Sequence, residues 1–462
     1  PVGSPLLHVV DLLLPGPLMP VSRFVTMAEL FAAVAGSVML ATGRGLKTLR
    51  PIDVAVIPAG AVISAHTFPL MAWHTVDGLL VGMASLLMLR SGVRRSSVSA
   101  VAIGGALAGF APLVKQSYAA VPIIALAWFI VQVRRRDPLP RWRPLAVAAA
   151  TGLWVLRVGP ARLPVTVHLS GAHRAAAGLA ALALVAMAWS VWDEALSLGG
   201  SWGAAVWWAA FATMVAASAS RGRFDDAGAA LLALGWCGSL SWGYANVNLF
   251  AGALAAYVAV RGVDLVVRVV PKPSLAVVAP SLAVVVIALS VACVAWASGV
   301  RGENTYRDLP ESELHSHLSD AATAFGYIRT NVGTATYVKA AAECRRRHPS
   351  GGFAILPDNA VLPTIFGARN PLPGDWWYIL ELPSHRERIM AQVGEAGRRG
   401  DYLVLFQTFS LDALAHQSAM PTATADSTPF DYEGGMVRDI YEALPGDRVE
   451  CGPFIGIYKP AG

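Results

Sequence analysis

The sequence predicts an α-helical polytopic membrane domain of about ten crossings, followed by a small extracytoplasmic α/β domain. Hydrophobic residues make up 55% of the 462-residue chain and charged residues only 14%, well below the roughly 25% charged residues of soluble domains. Apolar stretches long enough to cross a bilayer recur as far as about residue 298. Beyond that point helix-like and strand-like segments alternate, which is typical of a small α/β sheet domain.

The charge balance changes at about residue 300. From Arg301 onward 15 Lys and Arg stand against 20 Asp and Glu, whereas the preceding residues carry 21 against 10. A basic, apolar part and an acidic, water-soluble part are therefore expected in different solvents. The basic excess lies in loops beside the bilayer and indicates no nucleic-acid partner. We place a membrane domain at 1–300 and a soluble domain at 301–462.

Eleven apolar stretches are candidate membrane helices, and a crossing needs about 17–25 residues. The candidates are 22–42, 52–70, 74–90, 98–114, 117–133, 144–157, 175–192, 203–219, 227–242, 244–260 and 275–298. The most basic loops are expected to be cytoplasmic: 43–51, 90–95, 134–143 and 261–273. Both ends of the chain are then external, which requires an even number of crossings. The short stretch 144–157 is the first candidate for a segment that does not cross.

The tail is predicted to fold on its own around a small sheet. The expected helices are 334–348, 384–399 and 436–444. The expected strands are 353–357, 402–407 and 454–459. Cys344 and Cys451 are the two cysteines of the tail. A disulfide between them is one interpretation if the tail is extracytoplasmic. Two free thiols are the other, because spacing alone does not set the Cα geometry of a bridge.

Five polar residues are expected near the outer membrane surface: His66, His74, Asp77, Lys115 and Gln116. Ionisable groups in membrane segments are costly and are functional candidates by default. Each also has a simpler interpretation. Lys115 can extend its amine to the interface, Asp77 can pair with a basic neighbour, and the histidines can hydrogen-bond within a bundle.

No enzyme motif of known spacing is present, neither a Gly-rich phosphate loop nor GxSxG. Two histidines without a close carboxylate or cysteine make a poor metal site, so no metal ligands are assigned. No cofactor is predicted, and dependence on a divalent metal is left open. Glu29, inside the first apolar stretch, is the charge that these patterns explain least.

Several stretches together resemble bacterial GT-C-type glycosyltransferases, polytopic enzymes that take a sugar from a polyprenyl-phosphate donor on the extracytoplasmic side. The similar segments, in chain order, are PVGSPLLHVVDLLLPGPLMPVSRF, PLVKQSYAAVP, SWGYANVNLFAGAL and PDNAVLPTIFGARNPLP. The resemblance is patchy but spans nearly the whole chain, and it rests on the order of the segments.

The resemblance implies roles for particular residues. Lys115 would bind the donor phosphate as a point charge, and Gln116 would add a hydrogen bond. Aromatic residues of the tail would stack on the acceptor sugar: Trp376, Trp377 and Tyr378. They can instead be packing residues. The family's catalytic carboxylate lies in a first outer loop, ahead of the motif that matches Pro1 to Pro5. The base and one further helix are therefore expected upstream of Pro1, with Asp11 only a weak substitute.

The expected function is transfer of a sugar from a polyprenyl-phosphate donor to a cell-envelope glycan or lipid acceptor. The expected location is a bacterial inner (plasma) membrane, with the lipid bilayer as a further partner. Three alternatives stand beside it. The chain can be a transporter or flippase of a lipid-linked substrate, although no inverted repeat is visible. It can also be a non-catalytic, membrane-anchored glycan-binding protein, or a fragment without activity.

Overall fold

The structure is a computed structural model of the chain. It describes residues 7–65, 70, 73–136, 202–240, 248–269, 272–303, 309–357, 361–374, 377, 386–410, 420–431 and 436–461. The candidate membrane segments 144–157 and 175–192 lie outside these residues. So do three of the predicted site residues: His66, Trp376 and Tyr378.

The chain divides into two compact units. A helical unit comprises Pro1–Leu13 and Ser22–Arg301, and a tail unit comprises Leu14–Val21 and Gly302–Gly462. The main division lies at Arg301, where the charge composition of the sequence changes. The assignment of Leu14–Val21 to the tail unit has no counterpart in the sequence patterns.

Ten helices begin in the described part of the chain before residue 304. They are α1 Val9–Leu13, α2 Leu18–Thr42, α3 Pro51–Ala65, α4 His74–Arg95, α5 Val98–Val114, α6 Val121–Arg136, α7 Trp202–Arg221, α8 Asp226–Ser239, α9 Asn248–Val269 and α10 Lys272–Glu303. Five segments are helical, long and apolar enough to cross a membrane: Leu18–Thr42, His74–Arg95, Gln116–Val133, Leu249–Arg268 and Pro280–Gly302. Helices α3 and α5 are apolar but shorter. The helical unit thus has the character of a membrane protein.

Contacts along α4 establish the direction of its neighbours. Near its start, Thr75 accepts a hydrogen bond from Lys115 at the end of α5. Further along, the Ser85 hydroxyl donates to the Gly104 carbonyl oxygen over 2.7 Å. Thus α5 runs antiparallel to α4. We call the end that contains His74 and Lys115 the lysine end. The end that contains Thr42 and Arg90 is the arginine end.

Helices α3 and α9 approach so closely that only glycine fits between them. A Cβ atom on Gly252 would lie 1.6 Å from the Gly60 carbonyl oxygen. The same crossing is joined by polar contacts, in which the Gly252 amide donates to the Ser64 hydroxyl over 3.1 Å. Small residues that let helix backbones touch are the usual packing device in apolar bundles. The α3–α9 crossing therefore depends on two glycines.

Gly252→Ala should lower the thermal unfolding midpoint of the protein, because the added methyl group has no room. Overpacking of this kind costs about 1–3 kcal/mol. Gly262→Ala on the same helix is the matched control, since no described atom lies within 4 Å of its Cβ position. Detergent-solubilised variants would be compared by thermal unfolding. Equal midpoints for the two variants would contradict the close crossing.

The tail unit is built around a four-stranded mixed sheet. Its strands are β3 Gly352–Leu356, β4 Tyr402–Gln407, β5 Asp447–Cys451 and β6 Phe454–Lys459, and a separate short pair is formed by β1 Ser316–His317 and β2 Arg329–Thr330. The sheet order is β3-β4-β6-β5, with β3 parallel to β4 and the other pairs antiparallel. The predicted strands 353–357, 402–407 and 454–459 correspond to β3, β4 and β6. Strand β5 has no counterpart in the sequence prediction because its solvent-facing side chains are charged.

Both faces of the sheet are covered. The helices of the tail are α11 Val332–Arg347, α12 Val361–Ile365, α13 Arg386–Arg399 and α14 Met436–Ala443. Along β4, Leu403 and Leu405 face one hydrophobic cluster, which includes residues of α11. Val404 and Phe406 face the other cluster, which includes residues of α13 and α14. The alternation follows from the two-residue period of a strand, and it makes β4 buried along its whole length.

Cys344 and Cys451 form a disulfide, with their Cα atoms 5.5 Å apart. Cys344 lies within α11, where the sequence predicts a helix over 334–348, and Cys451 is the last residue of β5. The bridge therefore fastens the helix on one face of the sheet to the edge strand. It also closes a loop with a sequence separation of 107 residues.

Removing the bridge should destabilise the tail unit. A cross-link that closes a loop of this length contributes about 4–5 kcal/mol by restricting the unfolded chain. The Cys344→Ala/Cys451→Ala variant is expected to be cleaved faster than the wild type in limited proteolysis of the full-length protein. Cys293→Ala, which removes a free cysteine of α10, is the control. The expectation fails if the double variant and the control resist protease equally.

Candidate functional site

His8 stands between two carboxylates at the lysine end of the helical unit. Its Nδ1 lies 2.9 Å from Asp11 Oδ2, and its Nε2 lies 2.9 Å from Asp77 Oδ1. Asp11 is on α1, three residues after His8, whereas Asp77 is on the first turn of α4. Both carboxylates are buried. One imidazole thus joins a short helix before the first long one to the start of α4.

Glu29 on α2 completes the group. Its carboxylate, a ring nitrogen of His8 and a carboxylate oxygen of Asp77 all lie within 4.8 Å of one another. Two buried oxygens accept no hydrogen bond within the described part of the chain, Asp11 Oδ1 and Glu29 Oε2. Because buried polar atoms are nearly always paired, these two oxygens are candidates for contact with a ligand or a transferred proton. We call His8, Asp11, Glu29 and Asp77 the carboxylate cluster.

The charge state of His8 follows from its partners. Burial lowers the pKa of the imidazole. The hydrogen bonds and negative charges of Asp77 and Asp11 raise it by more than burial lowers it, so the pKa is about 9. At neutral pH His8 is therefore an imidazolium ion that donates from both ring nitrogens. The cation partly neutralises the carboxylates around it.

The carboxylate cluster is a poor metal site in this arrangement. A histidine ligand binds a metal through a lone pair on a deprotonated nitrogen, whereas both nitrogens of His8 are engaged with carboxylates. A cation at Nε2 would have to displace both the proton and the Asp77 contact. The second group with ligand-like spacing is Cys344, His348 and Cys451. Its two sulfurs are joined in the disulfide.

Lys115 is buried at the same end of the helical unit, at the C-terminal end of α5. Its amine donates to the Thr75 hydroxyl over 2.6 Å, and only 8% of the residue is exposed. The Tyr118 hydroxyl donates to the Thr75 carbonyl oxygen over 2.7 Å. Lys115 therefore does not extend to the interface, which corrects that interpretation of the sequence. Thr75, which accepts the hydrogen bond from the amine, lies two residues before Asp77 on α4.

The other predicted residues of the outer surface are distributed differently. His74 is the first residue of α4 and lies within electrostatic reach of Lys115 and Asp77. Gln116 is exposed at the start of a short 3₁₀ turn, Gln116–Ala120. The adjacent Lys115 is buried, so the two neighbours in sequence differ in their exposure to solvent. His66 lies outside the described residues.

Trp377 is a core residue of the tail. It is 2% exposed and belongs to the cluster that covers one face of the sheet, together with Leu372 and Ile389. Its ring is covered by protein, which favours the packing interpretation of Trp377, and the sugar-stacking role stays a prediction. Trp376 and Tyr378 lie outside the described residues, so their proposed role stays a prediction.

The sequence analysis did not assign His8, Thr75 or Tyr118 to a site. The available signals were the His8–Asp11 spacing of three and the charge of Glu29 inside an apolar stretch. Neither signal shows which helix packs against these residues. The 69-residue separation between His8 and Asp77 explains why only the packed helices bring the group together.

Comparison of the chain with family models, curated proteins and solved structures finds no significant match. Functional inference therefore depends on the residues of the two charged ends and of the tail.

The stability of the protein should fall between about pH 6.5 and pH 9 through His8. A raised folded-state pKa means that the ion pairs stabilise fully below the unfolded-state pKa of about 6.5. Their contribution is lost as pH rises through about 9. In thermal unfolding across this range, His8→Gln should show a flatter pH dependence than the wild type. His317→Gln removes an exposed histidine of the tail and should keep the wild-type slope. A wild-type slope in His8→Gln as well would refute the assignment.

Proposed function

We propose that this protein is a membrane glycosyltransferase that moves a sugar from a polyprenyl-phosphate donor to a cell-envelope glycan or lipid acceptor. The observation that carries the proposal is that the buried carboxylate cluster and the buried Lys115 lie at the same end of an apolar helical unit. A lipid-linked phosphosugar carries its phosphate and sugar at such a membrane surface. Transfer requires a carboxylate to accept a proton and a cation to stabilise a departing phosphate.

Asp11 is the candidate base among the described residues. One of its oxygens is held by His8, while Oδ1 is buried and accepts no hydrogen bond within the described chain. The acceptor hydroxyl would give its proton to this oxygen as the acceptor oxygen attacks the anomeric carbon. The bond between the anomeric carbon and the phosphate oxygen breaks in the same step. His8 is then a positioning residue, because it orients Asp11 through the opposite oxygen.

Lys115 would stabilise the polyprenyl phosphate as it leaves. Its amine is already held by the Thr75 hydroxyl at the start of α4. A buried ammonium group acts in a low dielectric, where it stabilises developing negative charge more than it would in water. Gln116 is exposed directly after Lys115, and its hydrogen bond to the donor phosphate stays a prediction.

The proposal includes about ten crossings, a cytoplasmic arginine end and an extracytoplasmic tail. The positive-inside rule supports this orientation, because arginines concentrate at the end that contains Thr42 and Arg90. Contacts along the described helices support alternating directions, as between α4 and α5. The disulfide of the tail supports an oxidising compartment. The location that follows is a bacterial plasma membrane.

Lys115→Ala should reduce sugar transfer by about 100-fold or more while the protein still inserts and purifies. That is the usual scale for removing one preorganised electrostatic stabiliser. The assay is transfer of radiolabelled sugar from polyprenyl-phosphate sugars to envelope glycan or lipid acceptors by purified protein in liposomes. Lys47→Ala removes an exposed lysine from the loop before α3 and should leave transfer unchanged.

Asp11→Asn tests the base separately. The amide keeps the size of the side chain but cannot accept the proton, so transfer should fall. Thermal unfolding is measured alongside, because the variant also weakens the buried His8–Asp11 pair. Full transfer in Asp11→Asn would exclude Asp11 as base, and full transfer in Lys115→Ala would exclude the phosphate role. Movement of the lipid-linked sugar across the liposome without transfer would favour the flippase alternative.

A further inference from the structure

A second charged site lies at the arginine end of the helical unit, away from the carboxylate cluster. Asp77 and Arg90 are both on α4, and their thirteen-residue separation corresponds to about 20 Å along the axis. A cavity of about 440 Å³ opens beside Arg90 between the ends of several helices. Its described lining includes six arginines: Arg90, Arg94, Arg221, Arg223, Arg261 and Arg268. Only two aspartates, Asp226 and Asp264, line the same space.

The acidic residues near the cavity are shared among several arginines. Asp225 receives Arg261 Nη2 at 2.7 Å and lies 3.9 Å from Arg221 Nη1. Asp264 lies 3.5 Å from Arg221 Nη2 and 3.9 Å from Arg261 Nη1, and it also contacts Arg50 at 3.4 Å. Asp225 and Asp264 together thus form ion pairs with three arginines. Positive charge remains in excess around the cavity.

Two buried donors of the lining have no acceptor. Arg261 is 6% exposed, and its Nε group makes no hydrogen bond within the described part of the chain. Trp128 is 5% exposed, and its indole N–H is likewise without a partner among the described residues. Both nitrogen atoms are closed off from solvent. The donors that a ligand in the cavity reaches are therefore the exposed guanidinium groups of its lining, those of Arg94, Arg223 and Arg268.

The backbone at Gly43 leaves room beside the guanidinium groups. Gly43 has a φ of +75°, and a Cβ atom there would lie 3.1 Å from Arg90 Nη2 and 3.3 Å from Arg94 Nη2. A side chain at this position would therefore crowd both guanidinium groups. The left-handed conformation, which favours glycine, keeps this wall of the cavity open.

We propose that this cavity binds a phosphate group carried by an anionic ligand. Arginine forks match the planar and bidentate arrangement of phosphate oxygens, and several arginines together recognise more than one negative charge. The phosphate has two sources at the end of a membrane helix unit, an anionic phospholipid headgroup or a soluble phosphate compound. The site is independent of the proposed sugar transfer.

The test uses the full-length protein in nanodiscs of two compositions. In phosphatidylcholine nanodiscs, inorganic pyrophosphate is titrated and its binding is measured by isothermal calorimetry. In a second series, cardiolipin is added and the bound lipid is counted by native mass spectrometry after detergent release. Binding in either arm is the expected result, and the arm in which it occurs identifies the source of the phosphate.

Arg223→Gln/Arg268→Gln removes two exposed arginines of the lining and leaves the buried Arg261–Asp225 pair intact. We expect at least tenfold weaker binding in this variant. Arg95→Gln/Lys47→Gln is the matched control, because it loses the same charge from exposed residues that do not line the cavity.

Two results would overturn the proposal. The first is that neither pyrophosphate nor cardiolipin binds the wild-type protein. The second is that the control variant loses affinity as much as Arg223→Gln/Arg268→Gln, since binding would then follow net charge and not this cavity.

Discussion

The helical unit depends on the pairing of ionisable side chains where its surroundings are apolar. An unpaired charge in such an interior carries a large desolvation penalty. The unit meets this constraint by gathering charges at the helix ends. At the lysine end, His8 lies between Asp11 and Asp77. At the arginine end, Asp53 receives both Arg44 and Arg50, each at 2.8 Å. Small and aliphatic residues pack the middle of the bundle.

The pairing is incomplete at both ends, and that incompleteness has chemical meaning. Carboxylate oxygens of Asp11 and Glu29 accept no hydrogen bond within the described chain, and Arg261 and Trp128 retain unused donors. We propose proton acceptance at the lysine end and anion binding at the arginine end. The two proposed sites lie at opposite ends of α4, which is one continuous helix.

The tail unit is stabilised by a different balance. Its sheet is covered on both faces, and β4 is buried throughout, so hydrophobic burial is its main source of stability. Gln407 is the polar exception on β4. Its side-chain oxygen accepts from the Tyr337 hydroxyl over 3.2 Å, and its amide donates to the Phe409 carbonyl oxygen over 2.9 Å. The buried polar side chain is thereby satisfied at the end of the strand.

The sequence by itself determined the positions of the long apolar helices and of three strands of the tail sheet. Apolar runs of sufficient length predict α2, α4 and α9 because a helix is the structure that satisfies its own backbone in an apolar medium. Alternating apolar segments predict β3, β4 and β6 because neighbouring side chains of a strand point to opposite faces. The change in charge near Arg301 also marks the division between the two compact units.

The tertiary structure alone decided which charges meet. His8 and Asp77 are 69 residues apart, and Arg261 and Asp225 are 36 apart, so no local spacing joins them. It also decided that Lys115 turns inward while Gln116 is exposed, and that Trp377 belongs to a core. Periodicity gives the type of an element and its apolar character, but the partner of each face depends on helix packing. Close backbone contact at Gly60 and Gly252 helps to determine that packing.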